Sequence, residues 1–125
     1  MTEPGRVALD GVLAAVTEHW RPRVVARLNG QEVKVAKFAG PFVWHRHDDA
    51  DEMFLVWRGA FDMEFRDRMV RLERGDVLVV PRGVEHRPNA AEEVEVLLFE
   101  PAGVRNTGNV HDDHYTAPEA PPSGD

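Results

Sequence analysis

The chain has no cysteine. Disulfides, thiolate zinc sites and thiol nucleophiles are therefore excluded, and the composition fits a reducing compartment. No apolar run is long enough to cross a bilayer. Residues 1–5 do not open a charged stretch followed by an apolar one, so no secretory signal is expected and the expected location is cytoplasmic. Positive charge is in deficit: 15 Lys and Arg stand against 22 Asp and Glu, for a net charge of -7 and a pI near 5.3. An acidic surface repels nucleic-acid phosphates and anionic lipid, so neither nucleic acid nor membrane is an expected partner. Internal repeats and a helix-turn-helix segment are also missing.

What is present suits one domain with one core: 125 residues, 42% hydrophobic and 30% charged. Leu9, Val12, Leu13, Val16 and Trp20 recur at helical spacing, which predicts one amphipathic helix over residues 6–20. Arg21-Pro22 ends it, because the residue before proline is pushed out of the helical region. Residues 23–100 read as about eight or nine short strands separated by turns, with Asn29-Gly30 the clearest hairpin signal. Residues 42–47, 84–87 and 94–99 are among the expected strands. With no helix between them, the strands predict an all-β fold, an antiparallel sandwich or barrel. The expected organisation is an N-terminal helix within residues 1–22 packed on the barrel, a β domain over 23–110, and a mobile tail over 111–125. The end of that tail is rich in Pro and Ala and carries too little apolar material to fold.

Chemistry concentrates at His45-Arg46-His47 and the Glu52 that follows. Residues two apart on a strand point to one side, so the two imidazoles stand together. The acidic turn of residues 48–51 brings the next strand back with Glu52 at its start. His86 follows the Pro81-Arg82-Gly83 turn, and barrel closure can carry it to the same interior point. Three neutral imidazoles and a carboxylate suit a divalent transition metal. Asp51 competes with Glu52 for the carboxylate position. His19 reads as a capping or exposed residue at the helix end, and His111-Asp-Asp-His114 as part of the mobile tail rather than an adventitious metal site. Alternation puts Val43 beside the two histidines, and Phe54 and Val56 beside Glu52, as pocket walls around the metal. Trp44 and Arg46 face the other way. Lys34 and Lys37 lie on opposite strand faces, so at most one points inward, and Lys34 is counted with the pocket.

The stretch from Gly40 through His45, His47 and Glu52 to Gly59 resembles the first motif of the cupin superfamily, G-x5-H-x-H-x(3,4)-E-x6-G, with the first spacer one residue short. The stretch from Gly75 through Pro81, Gly83 and His86 to Asn89 resembles the second, G-x5-P-x-G-x2-H-x3-N, with the last spacer one residue short. The resemblance implies a cupin jelly-roll β-barrel, also called a double-stranded β-helix. It implies metal ligands at His45, His47, Glu52 and His86, and so favours Glu52 over Asp51. The chain also looks like small single-domain cupins of the mannose-6-phosphate isomerase-like group, through its N-terminal helix and the segment of residues 99–108.

The function this implies is a metalloenzyme acting on a small polar metabolite, of isomerase, epimerase, oxygenase or rearrangement type. One divalent ion (zinc, iron, manganese, nickel or copper) would act as a Lewis acid, with Glu52 as the catalytic proton carrier. A non-catalytic small-molecule binding protein or sensor is the alternative, and a closed structural metal site the third reading. The pairing habit of cupins implies a homodimer, with the N-terminal strand and helix as candidate contacts.

Overall fold

The hairpin at Asn29-Gly30 joins β1 (Arg23–Leu28) to β2 (Gln31–Pro41), and both turn residues take positive φ, 51° and 75°. A two-residue turn of this kind needs left-handed backbone at both positions, which Asn and Gly tolerate best. In this computed structural model, which describes residues 5–118, the strands that follow are β3 (Glu52–Arg58), β4 (Ala60–Phe65), β5 (Met69–Glu73), β6 (Val77–Val80) and β7 (His86–Pro101). Every pairing is antiparallel. The hydrogen-bonded order is β1-β2-β7-β3-β6, with β4 pairing both β7 and β5. The fold is all-β, as the spacing of strands and turns predicts. Among the described residues the ladder does not close into a ring: β1 and β6 end the main path, and β5 ends the branch.

The spine is β7. It pairs with β4 over residues 86–89, with β2 over 89–101 and with β3 over 95–99. Its even-numbered residues are buried from His86 to Glu100, Glu92 excepted. One alternating face thus runs from one wing of the fold to the other and packs against Phe38, Phe54, Phe61 and Met63. The two strands expected at 84–87 and 94–99 are largely parts of this one strand. Residues 42–47 are not a ladder strand; His45 makes a single bridge to His86.

The helix is shorter than its apolar spacing predicts. Helix α1 covers only Leu9–Ala14. Ala8 at its start offers no side-chain cap, and Gly11 sits inside it. Each weakens a helix by roughly 1 kcal/mol. The apolar face survives the loss, since Leu13, Val16 and Trp20 are all buried. Lys37 Nζ donates to the Val16 carbonyl at 2.9 Å, so this lysine ties down the helix exit. Trp20 then turns the chain toward β1 with φ of 62°, a left-handed value that a bulky residue adopts at a cost. Its ring stacks on Phe38 and Phe42 with centroids 4.5 and 4.4 Å away.

Residues 111–118, where the tail was expected to begin, fold back over this tryptophan. Arg21 donates to the carbonyls of His114 and Tyr115, and the Tyr115 ring meets the edges of Trp20 and Phe42. The rest of that expected tail, residues 119–125, and residues 1–4 of the N-terminal segment lie outside the described residues. Among the described residues no helix is long and apolar enough to cross a membrane.

Candidate metal centre

The four residues singled out by spacing come together. His45, His47, Glu52 and His86 are all buried, and each offers a donor atom within 4.8 Å of the others. Glu52 opens β3 and His86 opens β7, while His45 and His47 lie on the irregular segment before β3. The backbone N–H and carbonyl of His45 exchange two hydrogen bonds with those of His86, at 3.0 and 2.8 Å. This bridge sets two of the rings 4.3 Å apart, centroid to centroid.

The protonation of the rings follows from their partners. Nδ1 of His45 lies 2.9 Å from the Val43 carbonyl, and Nδ1 of His86 lies 2.9 Å from the Val84 carbonyl. A carbonyl only accepts, so both Nδ1 atoms donate, and in a neutral ring Nε2 keeps its lone pair free for a metal. His47 Nε2 stands 3.1 Å from Glu52 Oε1, and His86 Nε2 stands 3.7 Å from it. Neither contact has hydrogen-bond geometry, which leaves His47 Nε2, His86 Nε2 and Glu52 Oε1 buried without a partner. Three converging orphan atoms of ligand type are what a divalent cation would satisfy, so the donor set fits the metal that the spacing predicts. Burial pushes the His45 pKa down to about 3, with the neighbouring His86 adding to the shift. Burial alone would push the Glu52 carboxyl up, but the facing imidazoles of His47 and His86 outweigh it and hold the group well below its usual range. His45 is therefore set as a neutral ring and Glu52 as a carboxylate, the states in which such ligands bind metal.

Asp51 is not part of it. It is exposed, and its Oδ1 accepts the backbone N–H of Arg82 at 2.9 Å, closing the loop outside the site. His19 lies 2.7 Å from Glu93, and His111 lies 3.2 Å from Asp113, both at the surface. Trp44 faces outward beneath the guanidinium of Arg66 at 3.9 Å, with Arg87 at 5.0 Å.

The pocket beside the cluster is lined by Trp20, Phe38, Phe42 and Phe54, with His45, Glu52, Glu100 and Asn106 as its main polar groups. Phe54 stands where alternation puts it. Val43 does not: strand alternation fails in this irregular segment, so Phe42 turns inward against His45, 5.3 Å between centroids. Val43 packs partly buried at the core's margin. Val56 is 1% exposed and belongs to the packed core, one alternation further along β3 than the pocket wall. Lys34 is buried but does not line the pocket; its Nζ lies 2.8 Å from Glu100 Oε1 and 3.7 Å from Glu32.

Glu100 is the residue that the spacing of histidines did not reveal. It is 2% exposed, and its Oε2 has no hydrogen-bond partner. Burial and then the charge of Glu52 push its pKa up to about 9, against the pull of Lys34. A signal existed: Val94, Val96, Leu98 and Glu100 occupy one alternating face, so an acid continues a row of core residues.

Residues 26–100 match the family model described as the cupin domain. A cupin-2 domain containing protein from Shewanella frigidimarina is 40% identical in sequence and superposes with a TM-score of 0.75, over 76% of this chain and 93% of that one. Protein NMB1881 from Neisseria meningitidis is 28% identical with a TM-score of 0.72, over 78% of this chain and all of that one. The uncharacterized protein YdbB of Bacillus subtilis is 36% identical over 64 residues, which are 50% of this chain and 57% of that protein. The chain thus spans little more than half the length of this curated relative.

Proposed function

The chain belongs to the cupin family, and from that premise we propose that it is a metalloenzyme acting on a small polar metabolite, with one divalent transition metal on His45, His47, Glu52 and His86. Zinc, iron, manganese, nickel and copper all suit this donor set. When bound, the ion supplies Lewis acidity toward a substrate carbonyl. The rings of His45 and His86 hold their Nε2 lone pairs toward it through the Nδ1 bonds to Val43 and Val84. Trp20, Phe38, Phe42 and Phe54 exclude water from the reacting face.

The observation that carries an enzyme rather than a carrier is Glu100: a second buried carboxyl, besides the ligand, on the pocket wall. In this reading Glu52, expected as the proton carrier, shares that task with Glu100. Burial, and in the metal-free chain the Glu52 charge, favour the protonated form of Glu100, and its Oε2 has no hydrogen-bond partner and is free to face a substrate. No lysine or arginine lines the pocket among the described residues. We therefore carry the mannose-6-phosphate isomerase-like grouping as a statement about fold and site, and take the substrate to be an uncharged or cationic molecule rather than a sugar phosphate. The free space is only about 20 Å³, room for about one water. A metabolite larger than that enters only if the pocket walls give way. The cysteine-free composition supports a cytoplasmic setting, and a second copy of the chain is the partner.

Metal analysis with His86→Ala tests the reading. The wild type is expected to hold one divalent ion per chain, and His86→Ala, still folded by circular dichroism, to bind it at least tenfold more weakly. A wild type that holds no metal after exposure to each of the five candidates overturns it.

A further inference from the structure

The segment that carries two of the four ligands is not a regular strand, yet its backbone is tied down from several sides. His45 has His86 for its N–H and carbonyl. The His47 carbonyl accepts the N–H of Gly83 at 2.8 Å. Arg46, between the two histidines, is held from the other side by a single residue. The Arg46 N–H donates to Oδ1 of Asn109 at 2.8 Å, and the Asn109 N–H donates to the Arg46 carbonyl at 3.0 Å. One asparagine thus does for Arg46 what a neighbouring strand would do, using its side chain as the acceptor and its backbone as the donor.

The approach is close because Gly108 precedes it. Gly108 has φ of 56°, and a Cβ there would run into the Arg46 carbonyl and lie 3.2 Å from Cδ2 of the His45 ring. The turn that presents these two residues is closed on itself. The Arg105 carbonyl accepts the Gly108 N–H at 2.9 Å, Arg105 Nε donates to the Gly108 carbonyl at 2.9 Å, and the Thr107 hydroxyl donates to the Val110 carbonyl at 2.6 Å. Thr107 is fully buried.

We propose that Asn109, set against Arg46 by Gly108, is a positioning residue for the metal centre: it fixes the peptide between His45 and His47 and so the spacing of their imidazoles. The inference rests on the metal assignment above. Two rings on one short segment keep their mutual geometry only while the backbone between them is fixed, and Arg46 has no ladder partner on its other side to do so. Loss of the side-chain acceptor frees the Arg46 N–H, and the segment gains freedom that binding must then remove.

Zinc titration by calorimetry on the full chain tests this, with Asn109→Ala, Asn109→Asp and Arg21→Ala. Asn109→Ala is expected to weaken zinc binding about tenfold. Asn109→Asp keeps an acceptor oxygen and is expected to stay within about twofold of wild type. Arg21→Ala removes the bonds to His114 and Tyr115, loosening the same C-terminal segment away from Arg46. It is expected to lower the melting temperature with zinc affinity unchanged. The proposal is overturned if Asn109→Ala binds zinc as wild type does, or if Arg21→Ala loses as much affinity as Asn109→Ala. A wild type that binds no zinc and none of the other four candidate metals sinks the metal assignment itself and this inference with it.

Discussion

At the scale of single residues, two buried groups with shifts of opposite sign give the metal-free protein a defined response to pH. His45 titrates near 3 in the fold against 6.5 when free. The unfolded chain therefore binds more protons between those values, and stability rises as pH climbs through that window. Glu100 titrates near 9 in the fold against 4.5 when free. Here the folded chain binds more, so its contribution is complete below about 4.5 and is lost as pH rises toward 9. Above pH 6.5 only the second effect of this pair remains. The melting temperature of chelator-treated protein is expected to fall between pH 6.5 and 9, and Glu100→Gln is expected to flatten that fall. An unchanged slope in the variant would remove Glu100 as its source. The four ligands were legible through the joint spacing of the two cupin motifs, even though the segment of His45 and His47 is not a regular strand. Glu100 was legible in principle, as an acid continuing the buried row of Val94, Val96 and Leu98. Val43 was misplaced because alternation assumes a regular strand, and the segment before β3 is held instead by long-range bonds from Asn109 to Arg46 and from His86 to His45.

At the scale of elements, the helix and the turn after it show what apolar spacing does and does not encode. The repeat of Leu13, Val16 and Trp20 correctly marks what is buried. It does not report where the helical backbone stops, because burial is satisfied equally by a short helix and an irregular exit. Trp20 is the pivot: its indole stacks on Phe38 and Phe42, and its Nε1 donates to the Ala39 carbonyl at 3.2 Å. Trp20→Ala is expected to cost about 3–5 kcal/mol in urea denaturation, the range for removing a large buried aromatic. A loss below about 1 kcal/mol would show that the left-handed strain at this position offsets most of the packing. The docking of residues 105–118 was not legible, because Asn, Thr and Gly signal turns without saying which distant carbonyl they will meet.

At the scale of the whole molecule, the sheet has an outer face that its registers make continuous. Val79, Met53, Phe99 and Val33 form one row across β6, β3, β7 and β2, and Val77, Leu55, Leu97 and Val35 form the next. Val35 is fully buried, but Val77 and Val79 are 52% and 51% exposed on a strand at the end of the ladder. An apolar row at an open edge favours association with another sheet. A second copy of this chain supplies a matching row, so light scattering is expected to give twice the 14.1 kDa chain mass. Val79→Lys is expected to return the monomer, and a wild type that is monomeric at high concentration would sink the dimer. The alternation that made the core legible also encoded this face. The docking of the last described segment on Arg46 and Trp20 bears on biosynthesis. His45 leaves the ribosome long before Asn109 does. A nascent chain that ends between residues 86 and 109 carries all four donor side chains without Asn109, so tight binding of the proposed ion is expected only once Asn109 has been added and can reach Arg46.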